Sequence, residues 1–264
     1  MVVTSRICCN QLRHPDAMGA RSTGSGVPPL GYTPLERLAV PRPVDRIAFI
    51  AQACAGRRVL DLGAMDETAW QSKRGGGTWL HEEIGRRALR VDGFDNSALV
   101  PVAGLPTGPN SSVRRGDVGD PETLLSQLPE TPEVIVAGEL IEHLENPLQF
   151  LQRFASAPRL AGRTLILSTP NATALHNFLI GLTRRESTHQ DHLCILSYKT
   201  LTTLCARAGF GEWEIIPYFS RFTEMQARHT GLARLAVRAA ERVVNAFEWL
   251  FPLASFGFVV RVRL

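Results

Sequence analysis

A chain of 264 residues with 44% hydrophobic and 20% charged residues can bury a large core in one domain with an appendage. That balance excludes a fibrous or wholly disordered chain. The formal charge of +4 is spread along the sequence, so it calls for no anionic partner by itself.

The five cysteines, Cys8, Cys9, Cys54, Cys194 and Cys205, form no CxxC pair, and their odd number suits a reducing compartment. No apolar run reaches the ~18 residues of a membrane span. The first residues lack the apolar centre of a secretory signal. A cytoplasmic protein with no transmembrane segment is expected.

Residues 1–40 carry Gly24, Gly26, Pro28, Pro29, Gly31 and Pro34 and read as a flexible N-terminal extension; one domain is expected over 41–264. Pro43 can open a helix with Asp45 in its first turn and Ile47, Ala48, Ile50 and Ala51 on its apolar side. Arg57 to Gly63 reads as the first strand, ending Asp61-Leu62-Gly63. Gly75-Gly76-Gly77 reads as a loop before a helix, since no strand leads into it. Leu89 to Phe94 is the second strand and ends at Asp95. Residues 98–111, with three Pro and two Gly, read as loop. Ser112 to Arg115 is a weak third strand leading to Gly116-Asp117-Val118.

Val134 to Ala137 is an apolar run suited to a buried strand, closed by Gly138. From Glu139 the spacing becomes helical, with Leu140, Ile141, Leu144 and Leu148 apolar. Glu139, Glu142 and His143 stand at i, i+3 and i+4, which on a helix puts all three on one face. Two carboxylates and an imidazole at the carboxyl end of a buried strand lie where an open α/β sheet keeps its chemistry.

Phe150 to Pro158 follows as a helix, then the apolar strand Arg163 to Asn171. A further helix holds His176, read as a surface or core residue. A loop carries His192, and Ser197 caps the helix Lys199 to Ala208. Glu212 to Phe219 and Phe256 to Arg263 are the last strands. Between them Leu232, Leu235, Ala236, Ala239, Val243, Phe247 and Leu250 make a helical stripe, with Arg234, Arg238 and Arg242 on another face. The stripe reads as core or homodimer packing, or as a membrane-surface helix.

The run Gly138-Glu-Leu-Ile-Glu-His143, followed by Asn146-Pro147, resembles the fourth-strand motif of class I S-adenosylmethionine (SAM)-dependent methyltransferases, closest to the ubiquinone- and biotin-pathway branch. The resemblance covers roughly residues 44–219. It implies a Rossmann-like α/β sheet of seven strands, order 3-2-1-4-5-7-6, the last antiparallel, with helices on both faces. It implies SAM as cofactor, bound by Asp61, Gly63, Ala64, Asp95, Asn96, Asp117, Val118 and Gly138. Asp95 would take the ribose diol, Asp117 the adenine amino group, and the Val118 amide a ring nitrogen. The family's second glycine after the first strand is absent, Ala64-Met65-Asp66 standing there instead.

Glu139, Glu142, His143 and a later His192 are also similar to the divalent-metal site of small-RNA 2′-O-methyltransferases. A metal such as Mg²⁺ bridging two vicinal oxygens would lower a hydroxyl's pKa and fix its orientation. Without a metal, His143 or His192 would act as general base, with Glu142 beside them. The resulting expectation is O-methylation of a small molecule, a sugar or polyol-bearing metabolite of secondary metabolism. The alternatives are an RNA 2′-O-methyltransferase, for which no concentrated basic patch is present, and a non-catalytic scaffold of the same fold.

Overall fold

The computed structural model describes residue 35, residues 37–66 and residues 70–264. The expected extension over 1–40, with Cys8 and Cys9, lies almost wholly outside these residues. Ala39–Leu264 is one compact unit.

Eight strands are present among the described residues: β1 (Arg58–Leu62), β2 (Arg90–Asp95), β3 (Leu105–Gly108), β4 (Ser111–Arg115), β5 (Val134–Gly138), β6 (Thr164–Pro170), β7 (Trp213–Tyr218) and β8 (Gly257–Arg263). They form a single sheet in the order β3-β4-β2-β1-β5-β6-β8-β7. From β4 to β6 all neighbours are parallel. β8 runs antiparallel to both β6 and β7. Without β3 the order is the one the family resemblance implies.

β3 corrects the strand count. It pairs antiparallel with β4, Leu105 opposite Val113, inside the stretch whose prolines and glycines suggested a loop. Pro106 is tolerated because the strand is at the sheet edge, where a missing N–H costs no ladder bond.

The helices are α1 (Arg46–Ala53), α2 (Trp70–Lys73), α3 (Leu80–Gly85), α4 (Pro121–Ser126), α5 (Pro147–Ser156), α6 (Leu175–Gly181), α7 (Tyr198–Ala208), α8 (Thr223–Arg228) and α9 (Gly231–Leu250). Their ends follow local chemistry. Asp45, Asp120 and Asn146 each accept an N–H of the first turn of α1, α4 and α5. Pro121 and Pro147 occupy first-turn positions, where no N–H is needed. Ser197 and Thr200 form a reciprocal capping box on α7, which ends at left-handed Gly209. The first helix begins at Arg46, one turn later than Pro43 suggested, because Val44 instead bridges to Tyr218.

β5 shows why its sequence is apolar throughout. Ile135 and Ala137 join the core layer that holds Leu60, Phe94, Phe154 and Leu165. Val134 and Val136 join the opposite layer with Ile50, Val59 and Ile166. A parallel strand covered on both faces has no polar side to show. Each fully buried side chain of this kind contributes about 1.5–3 kcal/mol, so the sheet is a rigid frame for the loops at its carboxyl ends.

Candidate active site

The carboxyl ends of β4, β2, β1 and β5 stand side by side. Gly63, just past β1, has φ +69°, and a Cβ there would come 3.1 Å from Leu140 Cδ1. Only glycine takes that turn at no steric cost, so the backbone passes close to the loop after β5. Asp95 ends β2 and is buried. Its Oδ2 accepts the Met65 N–H at 2.9 Å and its Oδ1 the Ser97 N–H at 2.8 Å. Burial pushes this carboxyl above its ordinary value, against the pull of those N–H groups. Each oxygen keeps a further lone pair, so a held carboxylate can still accept from a diol. Asp117 is exposed after β4 and accepts the Gly119 N–H at 2.8 Å. Asn96 is exposed beside Asp95, while the Val118 side chain is buried.

Two expected cofactor residues are engaged within the fold. Asp61 is buried, with Oδ2 2.8 Å from His81 Nδ1; His81 Nε2 reaches Thr107 Oγ1 at 2.8 Å. Ala64 is buried with Met65, Val100 and Val113, Trp70 packing against them. Its carbonyl accepts the Trp79 indole N–H at 2.9 Å. The missing second glycine thus coincides with a packed apolar patch. The arrangement fits an adenosine-bearing cofactor: a glycine cradle that a Cβ would fill, a fixed diol acceptor, and an exposed acid on the next strand.

The loop after β5 departs from the helix that i, i+3, i+4 spacing suggests. Glu139 has φ +52°, a left-handed conformation uncommon outside glycine. Its N–H donates to the Ser168 carbonyl at 3.0 Å and lies 3.2 Å from Ser168 Oγ. Only one short 3₁₀ turn follows, Ile141–His143. The three side chains therefore diverge. The Glu139 carboxylate accepts from the Tyr218 hydroxyl, 3.1 Å from each oxygen. It also lies 3.7 Å from the Arg46 guanidinium. Arg46 further donates to Ser168 Oγ at 3.2 Å.

Glu142 turns inward and is fully buried, neither oxygen meeting a well-placed donor. Burial, with Glu139 adding, pushes its carboxyl up to about 8. The Glu142 carbonyl accepts the N–H groups of Leu193 at 2.8 Å and Cys194 at 3.3 Å. That contact lays the 189–194 loop against the turn.

His143 and His192 then meet edge to face, ring centroids 4.6 Å apart at 84°. His189, absent from the expected site residues, stands 6.0 Å from His143 and 5.6 Å from His192. One ligand atom from each of the three lies within 4.8 Å of the others. Neither Glu139 nor Glu142 belongs to this cluster. His192 Nδ1 is buried without a hydrogen-bond partner, and burial, then His143 and His189, lower its pKa. Its neutral form is an acceptor at neutral pH. Only the three-residue spacing of His189 and His192 hinted at this trio.

A family profile described as "Methyltransferase domain" matches residues 36–214. The ubiquinone biosynthesis O-methyltransferase of Xanthomonas campestris pv. campestris is 32% identical over 131 residues, 48% of this chain and 50% of that protein. The chain thus spans half the length of the curated relatives it matches. A SAM-dependent methyltransferase from Archaeoglobus fulgidus is similar in structure at TM-score 0.50 and 16% identity, covering 83% of this chain and 91% of that one. The small RNA methyltransferase HEN1 is similar at TM-score 0.51 and 14% identity, over 88% of this chain and 27% of that one. These structural likenesses speak to the fold.

Proposed function

This chain belongs to the class I SAM-dependent methyltransferases, through their methyltransferase-domain family, and on that premise we propose that it methylates a hydroxyl oxygen of a small-molecule acceptor. The observation that carries the acceptor side is the unpartnered, buried Nδ1 of His192 beside His143, at the carboxyl end of β5.

Gly63 and Asp95 would hold the ribose side of the cofactor, Asp117 the adenine. Arg46 and Glu139, a charge pair beside Gly138, suit the carboxylate and ammonium of its amino-acid end. When bound, SAM supplies an electrophilic methyl on a sulfonium. His192 would accept the acceptor's hydroxyl proton as the oxygen–methyl bond forms and the sulfonium–methyl bond breaks, S-adenosylhomocysteine being the leaving group. A positioned base of this kind contributes typically 10²–10⁴-fold. His143, edge-on to His192, fixes that ring, and the Glu142 carbonyl holds the loop that presents it.

A second reading is favoured by the three-histidine cluster. His143, His189 and His192 would hold a divalent ion that lowers the hydroxyl's pKa as a Lewis acid. Three imidazoles suit zinc, iron or nickel better than Mg²⁺. That replaces the Glu139-Glu142-His143-His192 set expected from the motif, since the carboxylates are committed to Tyr218 and the interior. The similarity to a ubiquinone biosynthesis O-methyltransferase supports an oxygen acceptor; an ion bridging two oxygens would suit vicinal hydroxyls, either catechol-like or of a sugar or polyol.

The test is transfer of labelled methyl from SAM to a panel of catechols, glycosides and amines, read as S-adenosylhomocysteine release. Turnover on diol acceptors, lowered at least about 100-fold in His192→Ala with SAM binding kept, is the expected result. Turnover on amines alone would overturn the oxygen assignment.

A further inference from the structure

The start of α3 grips the turn after β1 at two points. Trp79, just before the helix, donates its indole N–H to the Ala64 carbonyl at 2.9 Å. His81, in the first turn, faces Asp61 with Nδ1 2.8 Å from Oδ2. A carboxylate only accepts, so Nδ1 is the donor. The Trp79 and His81 rings lie 5.2 Å apart. Strand β2 makes room for them. A Cβ on Gly93, opposite Asp61 in the sheet, would come 2.9 Å from both the His81 ring and the Ala64 methyl. Imidazole, turn and strand are therefore packed to contact, and a shift of one is felt by the others.

His81 is also the middle of a buried chain. Its Nε2 lies 2.8 Å from Thr107 Oγ1 on β3, and that hydroxyl donates to Ser111 Oγ on β4 at 2.9 Å. The His81 and Asp61 side chains are 0% and 3% exposed. At that depth a carboxylate that loses its donor must repack or draw in water.

The same turn reaches the expected cofactor residues. Asp61 stands two residues before Gly63, and the Met65 N–H at the far end of the turn donates to Asp95. Asp61 is felt at Asp95 as well: burial first, then the Asp61 charge, raise that carboxyl.

We propose that His81 is a positioning residue for the cofactor. By holding Asp61 it fixes the turn from Gly63 to Met65 against Asp95, and so sets the affinity for SAM without touching it. The proposal rests on the SAM reading above. It separates the two ends of the imidazole: the Asp61 end serves the cofactor, and the Thr107 end fastens the edge hairpin.

Two amides test that division. Asn places an N–H donor near the position of Nδ1 and Gln near that of Nε2, and neither is larger than the ring. His81→Asn keeps a donor for Asp61 and gives up Thr107; His81→Gln does the reverse. Isothermal titration of each full-length variant with SAM and with S-adenosylhomocysteine, beside its melting temperature, reads the difference. Both variants lose a hydrogen bond and should melt below the parent. His81→Asn should nevertheless bind both ligands close to the parent, whereas His81→Gln should bind them about 10-fold more weakly or worse. Thr107→Val cuts the chain at its outer end, leaves the histidine in place and should bind like the parent. Equal losses of affinity in the Asn and Gln variants, following their melting temperatures, would overturn the proposal. So would a Thr107→Val variant that binds as weakly as His81→Gln. A parent chain that binds neither ligand would overturn the cofactor reading itself, and this proposal with it.

Discussion

The Tyr218 hydroxyl sits 3.1 Å from both carboxylate oxygens of Glu139, joining the end of β7 to the left-handed residue after β5. A Cβ on Gly257, opposite Tyr218 in β8, would run into the Tyr218 ring, so the contact is built by the sheet itself. Tyr218→Phe removes the donor and leaves a partly buried carboxylate with Arg46 alone. The expected loss is about 1–2 kcal/mol of unfolding free energy, measured by urea denaturation. A neutral outcome would mean that water replaces the hydroxyl without cost.

Glu142 gives a pH signature. Its folded pKa of about 8 lies above the ordinary glutamate value of 4.5, so the folded state binds the extra proton across that window. Stability is fully present below the unfolded value and falls as pH rises through the folded one. Glu142→Gln keeps the shape without the charge. The variant should match the parent near pH 4 and exceed it by on the order of 2–4 kcal/mol above pH 8. Thermal melts of both proteins across that range, without added metal, check it. A variant less stable at every pH would show that the ionised carboxylate is needed by the fold.

The histidine cluster predicts a preference among metals. Zn²⁺ or Ni²⁺ should raise the melting temperature, whereas Mg²⁺ at the same concentration should not. His189→Ala should remove the effect, although the expected ligand set was Glu139, Glu142, His143 and His192. Equal stabilisation by Mg²⁺, surviving His189→Ala, would return the ligand set to the carboxylates.

The sheet was legible because burial on both faces leaves a mark in the sequence, as Val134 to Ala137 and Leu165 to Leu167 show. The edge strand Leu105–Gly108 was not, because Pro106 and Gly108 are as common in loops as at sheet margins. The spacing of Glu139, Glu142 and His143 is identical in a helix and in the turn that forms. Only the left-handed Glu139 separates them, and Glu gives no sign of it. His189 stayed outside the expected ligand set because the fold brings it to His143 through the Glu142 carbonyl, a backbone contact that leaves no trace in side-chain pattern. α9 was legible as amphipathic but not in orientation. Periodicity tells that a helix has two faces, and Ser220 waiting for Glu248 decides which one is inside.

Cofactor binding is the most direct test of the whole account. Isothermal titration of the full chain with SAM and with S-adenosylhomocysteine should give one site of micromolar affinity or tighter. Asp95→Ala should weaken it by about 1–3 kcal/mol, roughly 5- to 150-fold, by leaving a ribose diol unpaired. No heat and no thermal shift with either ligand would contradict the account. It would mean that Met65, packed with Val100 and Val113 where a second glycine was expected, closes the crevice, and that this fold serves as a scaffold.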